Sequence, residues 1–239
     1  MNPIFNEKRL EEISAQHGEE TMTVSGAINR AVMLTLICAM SAAFSWGYAP
    51  HFAGLLMPMM IGAGLIGLGL VLTATFSPKT SPVVAPIYAV VQGAFLGVIS
   101  AFFNQTSNGI VLQAVLLTFG ILLGMLGLYQ TRIIRVTARF RAIVVSATVG
   151  VMLFYLVAMG LRMFGISIPM MHDASWMGIG FSLFVIGLAA FNFLLDFDLM
   201  ERLPETGAPK YYEWYCGLGF LVTLVWLYLE VLRLLARRD

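Results

Sequence analysis

Charge is what this chain has least of. Only 11% of its 239 residues are Asp, Glu, Lys or Arg, where a soluble domain carries about 25%. So few charges cannot clothe a water-soluble fold, and a hydrophobic content of 59% calls for lipid as the solvent. The net charge of +1 leaves no basic excess, which argues against nucleic acid as a partner. Only two cysteines are present, Cys38 and Cys216. Each lies in an apolar run, and so distant a pair makes neither a metal motif nor a disulfide framework. The first 26 residues lack the apolar core and small-residue cleavage site of a secretory signal. Also missing are a nucleophile elbow, a phosphate loop and a paired-histidine metal motif, so no enzyme and no cofactor are expected.

What the chain has instead is long apolar runs. About 20 apolar residues are needed to carry a helix across roughly 30 Å of hydrocarbon. Seven segments qualify, at 28–48, 51–76, 82–103, 110–128, 141–164, 175–198 and 211–236. Short connections with turn chemistry separate them, such as "SPKTSP" and "LPETGAPK". The expected fold is all-α, a polytopic membrane protein of seven transmembrane helices. Residues 1–26 form a cytosolic amino-terminal tail, either solvated or folded as a short charged helix, and residues 27–239 form the membrane domain. With the amino terminus inside, ten Lys and Arg fall on the inner side and four on the outer. The positive-inside rule therefore places the amino terminus in the cytosol and the carboxyl terminus outside.

Several patterns imitate chemistry. Gly62, Gly64 and Gly67 have dinucleotide-fingerprint spacing but no strand before them, so they are expected to serve helix packing, as are Gly120 and Gly124. The sequon at Asn104 lies too close to the membrane for glycosylation. His51, His172 and Asp173 are read as interfacial polar residues rather than metal ligands.

The informative stretch is "NFLLDFDLMER", where Asp196, Asp198 and Glu201 follow twenty uncharged residues. An acid in hydrocarbon costs about 2.5–3.5 kcal/mol and is by default functional. Asp198 and Arg202, four apart, can form an ion pair on the helix surface. Asp196 lies about 200° around the helix from Asp198, which aims it inward when Asp198 faces headgroups. Acids near a helix carboxyl end oppose its dipole, a conflict that a bound proton or hard cation resolves. Two acids on the last span are candidate partners, Glu213 and Glu230. For a hairpin centred near Glu205, depth matches Asp196 to Glu213. Glu230 lies about 24 Å further along the axis, where it pairs with Arg233 or stands alone. Asp196 and Glu213 are thus the expected pair to hold a proton or a hard cation.

The stretches "TMTVSGAINRAVMLTL", "SPKTSPVVAPIYAVVQGAFLGVISAFFN" and "FNFLLDFDLMERLPETGAPKYYEWYCGLGFLVTLVWLYLEVLRLL" resemble the Bax inhibitor-1, or transmembrane Bax inhibitor motif, family, in its bacterial membrane-protein subgroup. That resemblance implies a last helix surrounded by the other six, a bacterial inner-membrane location and a pH-sensitive calcium leak. It also implies two aspartates on the last two helices that share a proton. The first corresponds to Asp196, with Asp198 as its neighbour. For the second, aligning "WLYLE" selects Glu230, while aligning "YEWYC" selects Val222 or Thr223, which do not titrate. Gln92 stands where relatives carry an acid in the third span, and can offer a cation its carbonyl. The gating or cation-binding set is therefore Asp196, Asp198, Glu213 and Glu230, supported by Gln92 and Arg202. The expected partners are membrane lipid and calcium or another cation. The alternative is a non-conducting protein that modulates a membrane protease or stress response.

Overall fold

The computed structural model describes residues 20–163 and 176–237. Among these residues seven α-helices follow one another: α1 Val24–Tyr48, α2 Leu56–Phe76, α3 Ser81–Thr106, α4 Ile110–Gln130, α5 Ala138–Met163, α6 Trp176–Glu205 and α7 Tyr212–Ala236. A 3-10 turn, Ala49–Leu55, joins α1 to α2, and a shorter one, Pro78–Thr80, joins α2 to α3. Six of the helical stretches are long and apolar enough to cross a membrane, and α2 adds the shorter apolar stretch Ile61–Phe76. The chain is a polytopic all-α membrane protein.

Local chemistry sets the ends. Thr23 caps α1 by accepting the Gly26 amide at 2.9 Å, which satisfies one of the orphan amides of the first turn. Gly109 and Gly207 adopt φ of 85° and 71°, left-handed values that favour glycine. They reverse the chain before α4 and after α6. Helix α6 runs seven residues beyond the expected end at Asp198 and includes Pro204 in its last turn.

Helix α7 forms the core. Every residue of it is buried or half-buried, and the most deeply buried, from Glu213 and Cys216 to Leu232 and Leu235, cover about two-thirds of its circumference, the mark of a helix surrounded by others. It packs on α1, α3, α4 and α6, while α5 reaches it through Tyr155 and α2 joins the bundle through α3. The outer face of α1 presents Leu36, Met40 and Phe44, all exposed at a spacing of four, as a lipid-facing stripe should be.

Close helix contact is concentrated between α1 and α3. A Cβ on Gly93 would lie 2.3 Å from the Cys38 carbonyl oxygen, and one on Gly97 would lie 2.0 Å from that of Ala42. Ser41 donates to the Val90 carbonyl at 2.8 Å across the same seam. Small residues do this in membranes, where apolar surface gives no drive for helices to associate. The glycines expected in this role mostly do not fill it. Gly62, Gly64, Gly120 and Gly124 face open space, and only Gly67 meets a neighbour, the Gln92 side chain. Spacing alone did not reveal which glycines face another helix.

Candidate functional site

The four candidate acids, Asp196, Asp198, Glu213 and Glu230, are held at four separate stations. Glu213 lies in the first turn of α7, buried to 4% exposure. It accepts hydrogen bonds from the Thr23 amide at 3.1 Å and the Thr23 hydroxyl at 3.2 Å. Arg30 Nε stands 3.9 Å from its other oxygen, an electrostatic contact too long for a hydrogen bond. The Arg30 guanidinium lies over the Trp214 ring, 4.5 Å from the centroid. A carboxylate at a helix amino terminus is also favoured by the dipole. Glu213 therefore ties the start of α7 to the start of α1.

The chain just before α1 continues this tie. Met22 N donates to Ala208 O at 2.9 Å and Lys210 N donates to Glu20 O at 2.8 Å, with Thr21 bridging Pro209 in antiparallel fashion. The Lys210 ammonium donates to the Glu20 carboxylate. That hydrogen bond holds the Glu20 carboxyl below its ordinary range and the Lys210 ammonium above its own. Residues 20–22, expected within a free tail, thus form a strap over the α6–α7 turn. Residues 1–19, and with them most of that tail, lie outside the described residues, as do His172 and Asp173.

Asp198 pairs with Arg141 of α5 and, at 3.4 Å, with Arg202 one turn along α6. The expected Asp198–Arg202 pair is present and Arg141 extends it. Glu201 accepts the Tyr129 hydroxyl at 2.7 Å. At 1% exposure, Glu230 holds Arg233 at 2.9 Å and receives the Tyr155 hydroxyl at 2.8 Å. Of the two alternatives for Glu230, the structure shows the i,i+3 pair. Gln92 is buried and donates to the Ala63 carbonyl of α2 at 3.0 Å, which ties α2 to α3.

Asp196 is different. Its Oδ2 is buried without a hydrogen-bond partner, and its side chain meets α7 at Gly219, where an added Cβ would stand 3.7 Å from Oδ1, and at the Thr223 hydroxyl. The expected pairing of Asp196 with Glu213, and the calcium site built on it, is not formed. Because α6 extends to Glu205, the connection occupies residues 206–211 and the hairpin is centred near residue 208. Asp196 is then level with residue 221, between Gly219 and Thr223. The expected dipole conflict also falls away, since Asp196 lies nine residues from the helix end and the effect is confined to the last turn. Among the described residues, no group of three His, Cys, Asp or Glu side chains is placed to hold a metal ion.

Thr223 has one hydroxyl proton and two acceptors in reach, the Asp196 carboxyl and the Gly219 carbonyl oxygen at 3.2 Å. A protonated Asp196 can donate to Thr223, which in turn donates to Gly219. An ionised Asp196 competes for that proton and needs water or a cation for the other oxygen.

Some of these contacts had a signal in the sequence. Thr23, followed by "VSGAINR", has the form of a helix cap, and a tyrosine within an apolar span, such as Tyr155, must find a hydroxyl partner. That Glu213 and Glu230 would be those partners depends on how the helices are arranged. The Bax inhibitor 1 like family model matches residues 2–238, and no curated protein or solved structure matches the chain. With the match spanning nearly its whole length, the chain belongs to the Bax inhibitor 1 like family.

Proposed function

We propose that this protein is a pH-sensitive cation leak, with calcium as its most suitable ion, in which Asp196 is the titrating gate. The observation that carries this reading is the unpartnered Oδ2 of Asp196 in the α6–α7 seam. The other site acids, Asp198, Glu213 and Glu230, are each engaged by an arginine. In the neutral form, the Asp196–Thr223–Gly219 chain of hydrogen bonds keeps the seam dry and closed. Ionisation breaks that chain and requires a ligand for Oδ2. Water or a hard cation, which takes oxygen ligands, meets the requirement. One carboxylate and one hydroxyl are too few to retain calcium, which takes six to eight oxygens, so Asp196 acts as a station on a path. The path runs in a bacterial inner membrane, with the amino terminus and the Glu213 station facing the cytosol. Calcium influx into vesicles holding the purified protein tests this. Influx above that of protein-free vesicles, rising with pH, supports the reading, and no excess at any pH refutes it.

A second reading, a non-conducting protein that modulates a membrane protease, draws support from the strap at residues 20–22. A partner bound to the preceding tail would pull directly on the α6–α7 turn. Deleting residues 1–19 separates the readings: lost protease association with unchanged influx favours this one.

A further inference from the structure

Two adjoining cavities run along the seam between α1 and α4, which do not pack on each other although both lean on α7. The larger, about 540 Å³, is lined by Ala39 and Trp46 of α1, Val115 and Phe119 of α4, and Leu224 and Tyr228 of α7. The second, about 240 Å³, continues it toward the end of α4, with Val32 of α1, Leu122 and Tyr129 of α4, Phe197 and Glu201 of α6 and Phe220 of α7 in its wall. Together they make an open groove of small-molecule size, whose floor is α7 in the larger cavity and chiefly α6 in the second.

The wall selects an apolar occupant. Thr35 and Thr118 donate to carbonyls of their own helices, Ala31 at 2.8 Å and Ala114 at 2.7 Å. Ser100 and Tyr228 hydrogen-bond each other at 2.6 Å. Three of these four hydroxyl protons are thus engaged within the wall, and the rest of the lining is almost wholly apolar, which suits a hydrocarbon chain better than a polar solute.

The end of the groove selects a charge. Beyond Tyr129 and Gln130, which line the second cavity, the chain leaves α4 and runs through Arg132 and Arg135. Besides the Glu213–Arg30 and Glu20–Lys210 pairs, this end of the bundle carries Lys79, Arg132, Arg135, Arg139, Arg141 and Arg202 against three carboxylates, Asp198, Glu201 and Glu205. Asp198 is taken by Arg141 and Arg202, and Glu201 by Tyr129. Among the described residues, Arg132, Arg135 and Arg139 have no carboxylate in ion-pair range.

We propose that the α1–α4 groove holds an acyl chain of an anionic membrane phospholipid, with its phosphate against Arg132 and Arg135. Leu221 on the floor lies about 160° around α7 from both Gly219 and Thr223. A lipid against Leu221 thus presses on α7 from behind the face that meets Asp196, and its departure would loosen that seam.

Native mass spectrometry of the full-length protein tests this, after equilibration in mixed micelles with phosphatidylglycerol or phosphatidylcholine of identical chains. Wild type should retain phosphatidylglycerol in preference. Arg132→Gln together with Arg135→Gln should reduce that preference at least fivefold, leaving chain binding intact. Ala39→Phe, which fills the groove, should abolish retention of both lipids. Leu36→Phe, on the exposed stripe of α1 outside the groove, should match wild type, and thermal unfolding checks that each variant folds. Equal retention of the two lipids by wild type, or wild-type retention by Ala39→Phe, overturns the proposal. So does a lipid-free dimer that Ala39→Phe dissociates, since the groove would then bind a second copy.

Discussion

Glu213 receives both the backbone amide and the hydroxyl of Thr23, 190 positions away in the chain. One threonine therefore caps α1 and anchors α7. Thr23→Ala removes the helix cap and one donor to a buried carboxylate, and should cost about 1–2 kcal/mol. Thr23→Ser should retain nearly all of it. Denaturant titration of the purified protein in micelles measures both, and equal loss in the two variants would show that the hydroxyl is not the anchor.

The strap should open in acid. Glu20 has its carboxyl pulled below its ordinary range by Lys210, so the contribution of the pair is present above the unfolded carboxylate range and is lost as pH falls through the lowered folded value. Lys210 is held above its own range, so its contribution is present below the unfolded ammonium value and is lost as pH rises through the raised folded one. The clasp is thus closed across neutral pH. Hydrogen exchange of the Met22 and Lys210 amides should accelerate in acid beyond the intrinsic pH effect, and Lys210→Met should remove the excess.

Gly97 and Gly120 should respond oppositely to an added side chain. Gly97→Val drives a side chain into the Ala42 carbonyl and the Ser45 hydroxyl, each 2.0 Å from the new Cβ position. It should destabilise by about 1–3 kcal/mol. Gly120→Ala meets nothing and, within a helix, should be neutral or stabilising by about 0.5–1 kcal/mol. The pair of unfolding curves decides whether α1 and α3 are as close as described.

How far the fold could be read in advance follows from what each feature depends on. Apolar run length located each helix of the described residues in order, because an amide in lipid must be satisfied within its own helix. Run length does not fix where α6 stops. Ending it early centred the hairpin near Glu205 and paired Asp196 with Glu213. Moving the centre to about residue 208 shifts each arm by about 5 Å and brings Asp196 opposite Thr223. The Glu230–Arg233 pair was visible as a local spacing, whereas Arg141 on Asp198 and Tyr155 on Glu230 depend on how α5 lies against α6 and α7. The strap was hidden because residues 20–22 carry no periodicity, and the loop they pair with is remote in sequence.

Glu230 should prove structural. Glu230→Ala leaves Arg233 and Tyr155 facing each other without their shared acceptor and should cost about 2 kcal/mol, at the low end for a broken buried pair because Arg233 is 39% exposed. Glu230→Gln should recover part of that loss. If either variant changed the pH response of ion flux while leaving stability intact, Glu230 would belong to the gate.

Asp196→Asn is the most direct test of the gate, because asparagine keeps the shape of the carboxyl and fixes it uncharged. The measurement is calcium influx into vesicles from acid to alkaline pH, beside Asp198→Asn and Glu213→Gln as controls. Influx through Asp196→Asn should stay at the protein-free level at every pH, while the controls keep the wild-type rise. A wild-type pH profile in Asp196→Asn would contradict the assignment of the gate to Asp196.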